Sequence, residues 1–178
     1  MNAASESRSR PGESMIVTPR GRSIWRGRHV RCAVGRGGIS AAKREGDGAT
    51  PLAHMPLRRV LYRPDIFCRP PETRLPTQAL RWADGWCDDP ADPNYNRPVV
   101  RPYPGRHEVL WREDRLYDVI VVLGWNDAPV IRGNGSAIFM HVARPDYGPT
   151  EGCVALALGD LLDVLREADP STKLVPTR

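Results

Sequence analysis

No run in the sequence approaches the roughly 18 apolar residues of a membrane span, and the opening stretch MNAASESRSRPGES lacks the apolar segment of a secretory signal. No integral membrane segment is expected, and no export signal is visible. The four cysteines, Cys32, Cys68, Cys87 and Cys153, are widely separated and include no CxxC pair, which argues against a zinc knuckle or a redox motif. A disulfide framework is out of place in 178 residues, a length that buries a core without staples. There is no internal repeat. Eighteen prolines and 16 glycines interrupt the chain, so long helices are not expected either.

The formal charge of +5 is unevenly placed. Residues 1–44 hold ten Lys/Arg against two acids, which leaves +8, and the remainder holds sixteen against nineteen, which leaves −3. A basic arm can touch phosphates or an anionic envelope polymer, but a solvated leader is the simpler reading, and nucleic acid is not expected as a partner. Residues 1–22, polar and Arg/Ser-rich, are expected to form a disordered basic leader, with one domain over 23–178. Met15, just before IVTPRG, is a candidate alternative start beside Met1.

In WRGRHVRCAVG, Val30, Cys32 and Val34 share one face of a half-buried strand that ends in the GRGG turn. A second extended segment is expected around Leu57 to Tyr62. The stretch DGWCDDPADPNYNRPVVRPYPG is too rich in Pro, Asp and Asn for regular structure, and a loop of that length in a compact domain is usually functional or loosely ordered. Two strong strands follow: LYDVIVVLGW, with a β-branched run from Val119 to Val122, and GSAIFMHVAR, where Ala137, Phe139, His141 and Ala143 fall on one face. VALAL is short and extended. GDLLDVLREAD places Leu161, Leu162, Val164 and Leu165 at helical spacing, with Asp160 in the first turn. The tail TKLVPTR adds an edge strand. The fold class is mainly β, with long loops and one C-terminal α-helix.

His141 precedes Cys153 by twelve positions, and the eleven residues between them, VARPDYGPTEG, can fold back to bring imidazole to sulfur. A cysteine attacks as its thiolate, and a thiol of ordinary pKa holds little thiolate at neutral pH, so a catalytic cysteine needs a base or a cationic neighbour. Gly152 allows a tight turn before the sulfur and exposes N–H groups to a developing oxyanion, while the Thr150 hydroxyl braces the turn. Taken from spacing alone, a buried structural cysteine and a satisfied strand histidine remain the commoner case.

The order GSAIFMH … PTEGCVAL resembles the catalytic segment of the L,D-transpeptidase family of the YkuD type, in which a strand-borne His is followed by a Ser/Thr-x-Gly-Cys turn. Upstream, KREGDGATPLAHMPL resembles that family's Lys-x-Gly-Asp-x-x-Thr-Pro-x-Gly segment at Lys43, Gly46, Asp47, Thr50 and Pro51. The resemblance spans about Val30 to Leu165. It implies a β-sandwich catalytic domain that acts on peptidoglycan stem peptides with no metal or organic cofactor, Cys153 as nucleophile, His141 as base, and the N–H groups of Gly152 and Cys153 as oxyanion donors. It also implies action in the periplasm or cell wall, with a cytoplasmic location as the alternative while no export signal is visible. Oligomeric state is left open.

Three positions and one spacing depart from the family pattern. Glu151 stands where His is common, Ala155 where many members place an Arg, and Ala53 where Gly is usual; the His-to-Cys loop is also short. Glu151 is expected to disturb the thiol by repulsion. For the missing substrate contacts Arg144 and Arg97 are candidates, with Trp86 and Tyr95 lining the cleft wall and Thr150 at the substrate. The same arginines are equally suited to tying loops. Asp88, Asp89, Asp92 and Asn94 do not match the spacing of an EF-hand. The expected activity is L,D-transpeptidation, which links the acyl group of a stem tetrapeptide to an amine. The alternatives are an L,D-carboxypeptidase or other cysteine hydrolase of wall peptides, and a non-catalytic wall-binding module.

Overall fold

Residues 13–178 are described by a computed structural model. Among these residues the fold is mainly β with a single helix, in the sandwich-type arrangement expected. The leader is the first correction. Ser14–Thr18 (β1) is a strand of the main sheet, followed by Arg22–Trp25 (β2) and Arg28–Ala33 (β3). Met15 and Val17 are fully buried and alternate with half-buried neighbours, the period of a strand with one face inward. The expectation of disorder over residues 1–12 lies outside the described residues.

Ile39–Ser40 (β4) pairs in parallel with Thr50–Pro51 (β5), and Met55–Tyr62 (β6) covers the extended segment expected there, with Thr77–Ala79 (β7) beside it. The middle stretch, expected to lack regular structure, instead holds Asp84–Cys87 (β8), Pro98–Val100 (β9) and His107–Val109 (β10) in a small antiparallel sheet ordered β10-β8-β9. The prolines are compatible because Pro98 opens an edge strand, where a missing N–H is tolerated. The aspartates serve turns: Asp89 and Asp92 accept the N–H groups of Ala91 and Asn94, and Asp88 pairs with Arg106 at 3.1 Å.

Val119–Leu123 (β11), Phe139–Val142 (β12) and Val154–Leu156 (β13) follow, then Leu158–Glu167 (α1) and Lys173–Pro176 (β14). The main sheet runs β11-β12-β13-β3-β2-β1-β14-β6-β7, and β6 also pairs with β11, so the sheet closes on itself. β14 is therefore not the edge strand expected; it lies between β1 and β6, with Leu174 opposite both Met15 and Met55. The strand around His141 begins at Phe139, because Ala137 sits at φ +51° in the left-handed region and breaks the expected shared face.

Alternation along β11 to β13 gives these strands two apolar faces. Val121, Met140, Val154 and Leu156 pack with Leu161, Val164 and Leu165 of α1, whose i, i+3, i+4 spacing makes one apolar stripe. Each such leucine contributes about 1.5–3 kcal/mol by its burial. On the opposite face Ile120, Val122, Phe139 and Cys153 pack under Trp86, Leu110 and Tyr117. The small sheet roofs this face, with Trp86 edge-on to Phe139 at 5.2 Å.

Candidate active site

β12 and β13 run parallel, with Met140 opposite Val154 and His141 opposite Ala155. Period-2 alternation puts Phe139, His141 and Ala155 on one face and carries Cys153, the residue before β13, to the same face. His141 and Cys153 line one cavity of about 500 Å³, together with Thr150, Arg144, Glu108 and Tyr117.

The turn before the sulfur is held from both motifs of the sequence. Thr150 Oγ1 donates to the Cys153 carbonyl at 2.6 Å and accepts the Gly152 N–H at 3.2 Å, as expected of a bracing hydroxyl. The Thr50 hydroxyl reaches the same carbonyl at 3.5 Å while accepting the Gly35 N–H at 2.9 Å. Asp47 shapes the loop that delivers Thr50, accepting the N–H groups of Arg44 and Ala49 and pairing with the buried Lys43 at 2.5 Å. KREGDGATP and PTEGC thus form one physical unit. Gly152 sits at φ +127°, and a Cβ there would lie 2.8 Å from the Ala49 carbonyl oxygen. Gly152→Ala is expected to cost about 1–3 kcal/mol through backbone strain and to displace the sulfur. Denaturant unfolding checks this, and a midpoint equal to that of the unmodified protein contradicts it.

The Cys153 thiol is 7% exposed; Sγ accepts the Phe139 N–H at 3.4 Å and donates to the Ala137 carbonyl at 3.3 Å. His141 Nδ1 lies 2.9 Å from the Val142 carbonyl. A carbonyl only accepts, so Nδ1 carries the proton and Nε2 is left as the basic nitrogen. The Tyr117 ring stands edge-on to the imidazole at 5.1 Å. Burial lowers His141 to about 4. Burial, followed by the Glu108 carboxylate, pushes Cys153 up to about 12. The resting pair is therefore neutral thiol and neutral imidazole, and thiolate appears only as the proton moves.

Glu151 does not act on the thiol as expected. It is exposed at the cavity mouth and paired with Arg36 at 2.8 Å, while the carboxylate that raises Cys153 is Glu108. Of the other residues singled out in the sequence, Arg144 lines the cavity and makes no ion pair among the described residues. Gly152 backs the turn rather than lining the cavity. Trp86 is buried under the small sheet, its indole N–H donating to Asn96 Oδ1 at 3.0 Å, and with Arg97 it lines a second cavity of about 280 Å³ instead. Tyr95 is buried behind the wall, donating to Glu45 Oε2 at 2.5 Å and accepting the Gly135 N–H at 3.0 Å. Glu108, Tyr117 and Arg112 also line the cavity and were not marked by any sequence spacing. Arg112 brings a guanidinium to the cavity that Ala155 also lines, its charge paired with Asp114 at 2.5 Å.

Fold and site together define a class: a β-sandwich domain that places a cysteine and a histidine over a single charged cavity. The family model of the L,D-transpeptidase catalytic domain, YkuD, matches residues 9–175, and the chain belongs to that family. The match takes in β1 and all but the last residue of β14, beyond the span carried by the motifs. No curated protein and no solved structure matches. The family acts on peptidoglycan peptides, which places its work at the cell wall or periplasm. Among the described residues no helix is long and apolar enough to cross a membrane.

Proposed function

We propose that the protein is a peptidoglycan L,D-transpeptidase in which Cys153 is the nucleophile and His141 its base. The observation that carries this reading is the hydrogen bond from His141 Nδ1 to the Val142 carbonyl, which leaves Nε2 basic in the cavity that holds the Cys153 thiol. Nε2 takes the thiol proton as Sγ attacks the carbonyl of the bond between the L-centre and D-Ala of a stem tetrapeptide. The same proton passes to the departing D-Ala amine, and a thioester remains. The amine of a neighbouring stem then attacks, the new amide forms, and the sulfur is released as thiol.

The Thr150 hydroxyl already holds the Gly152 N–H, which favours the Cys153 N–H as the backbone donor to the oxyanion. Arg144, exposed and without an ion pair among the described residues, suits a substrate carboxylate, the contact left open by Ala155. Thr150 acts on the substrate indirectly, by holding the turn.

Incubation with muropeptides ending in D-Ala, followed by mass, tests the reading. A cross-linked dimer is expected. Loss of D-Ala without a dimer makes the protein an L,D-carboxypeptidase. The absence of reaction, together with the absence of a thiol adduct from an acylating β-lactam, overturns the enzyme reading and leaves a wall-binding module.

A further inference from the structure

The charged groups of the cavity divide into paired and unpaired ones. Lys43 is paired with Asp47, Arg106 with Asp88, Arg112 with Asp114, and Glu151 with Arg36. Among the described residues, three charged groups of the cavity make no ion pair: Arg144, Glu45 and Glu108. Glu45 is held by two hydroxyls, Tyr95 at 2.5 Å and Ser136 at 2.7 Å, both on its Oε2, and so belongs to the wall.

Glu108 is different. Its Oε1 accepts the Tyr117 hydroxyl, and its Oε2 has no hydrogen-bond donor among the described residues. The Tyr117 ring that holds it is the one standing against His141. Its charge is felt at the sulfur, where it is the largest influence after burial. A carboxylate in this position hinders the thiol from ionising, so its presence beside the nucleophile is not accounted for by the first half of the reaction.

The second half has a need that Glu108 fits. An amine reaches the site as an ammonium ion, and aminolysis of a thioester requires it to lose two protons, one before attack and one after. His141, neutral in the thioester state, takes one. Water as acceptor brings no charge and needs only that single transfer.

We propose that Glu108 is the acceptor-side base, drawing the ammonium of the incoming amine to the thioester and taking its first proton. This rests on the transpeptidase reading above. The free amine attacks the thioester carbonyl, C–N forms and C–S breaks, and the second proton travels through His141 to the sulfur, which leaves as thiol. Glu108 returns its proton to water. The carboxylate thereby selects amine over water.

The test is the ratio of dimer to hydrolysed tripeptide, measured by mass over a range of pH for the unmodified protein and for Glu108→Gln. The ratio is expected to fall about 100-fold in the variant at pH 7. It should recover as the pH nears the ionisation of an aliphatic acceptor amine, about 10, where free amine is supplied by the solution. An unchanged ratio at pH 7, or a ratio lowered equally at every pH, overturns the assignment.

If the variant does not fold, the unmodified protein decides with two acceptors, one aliphatic amine and one α-amine of pKa about 8. A ratio that levels off at neutral pH for both is expected. A ratio that tracks each amine's own ionisation overturns the proposal. Absence of any thioester on Cys153 overturns this proposal together with the transpeptidase reading, whereas normal thioester formation with an unaltered ratio overturns only the role of Glu108.

Discussion

Cys153→Ala is expected to abolish both D-Ala release and the covalent adduct with an acylating β-lactam. Among the described residues no other thiol lines the cavity: Cys32 is buried in the core beside α1, Cys87 lies in β8, and Cys68 is exposed elsewhere. Removing the nucleophile leaves only the rate that binding and the oxyanion donor supply. The variant should still fold, because a methyl fits the space of a thiol and the loss is confined to the weak contacts of Sγ with Phe139 and Ala137. Mass of the β-lactam-treated variant is the direct measurement. An adduct on the Ala variant equal to that on the unmodified protein assigns the chemistry to another residue.

His141→Ala is expected to slow acylation of Cys153 by about 10²- to 10⁴-fold. The magnitude follows from the resting state. With the thiol pushed up to about 12, almost no thiolate exists at neutral pH, so the sulfur depends on a base in the act of attack. Because burial lowers His141 to about 4, the imidazole stays neutral well below its ordinary 6.5. The acid limb of acylation should accordingly lie near pH 4 and not near 6.5. Stability carries the same signature. The unfolded chain protonates this histidine below about 6.5 and the folded one only near 4, so the folded state loses stability as pH falls through that window. Acylation rates by mass across about pH 3–8 check the acid limb, denaturant unfolding over the same range checks the stability, and a rate unchanged in His141→Ala refutes the base.

The strands nearest the chemistry were the most legible parts of the fold. β11 announces itself by a continuous β-branched run, and α1 by its leucine spacing, because each buries a whole face or stripe. β1 was hidden, since five alternating residues are diluted by the Arg- and Ser-rich stretch around them. β8, β9 and β10 were hidden by the prolines and aspartates of their connecting turns, although each strand needs only three or four residues.

At the site, His141 and Cys153 could be read because their chemistry demands those residue types in that order. Glu108 could not. It comes to the cavity of Cys153 through the pairing of β10 with β8 and its hydrogen bond from Tyr117, relations that no spacing in the sequence marks. Trp86, Tyr95 and Arg97 were drawn toward the cleft by composition, but the pleat of β8 turns Trp86 onto Phe139 and the loop beyond turns Tyr95 onto Glu45. The neighbouring Asn96, unmarked by any motif, ties that loop down, accepting from Trp86 and Ala137 and donating to the carbonyls of Trp125 and Asn126.

The closed sheet also sets a timetable. Ser14 faces Lys173 and Val17 faces Pro176 in the β1 and β14 pair, so the first and last strands described are hydrogen-bonded neighbours. While the chain is still being synthesised, the seam between β1 and β6 stays open until β14 itself has emerged, however early β2 and β3 pair. Pairings between such distant segments are slow, reaching milliseconds to seconds. The sheet therefore closes only once β14 is available, and a chain stopped short of Lys173 exposes two unpaired strand edges to its neighbours.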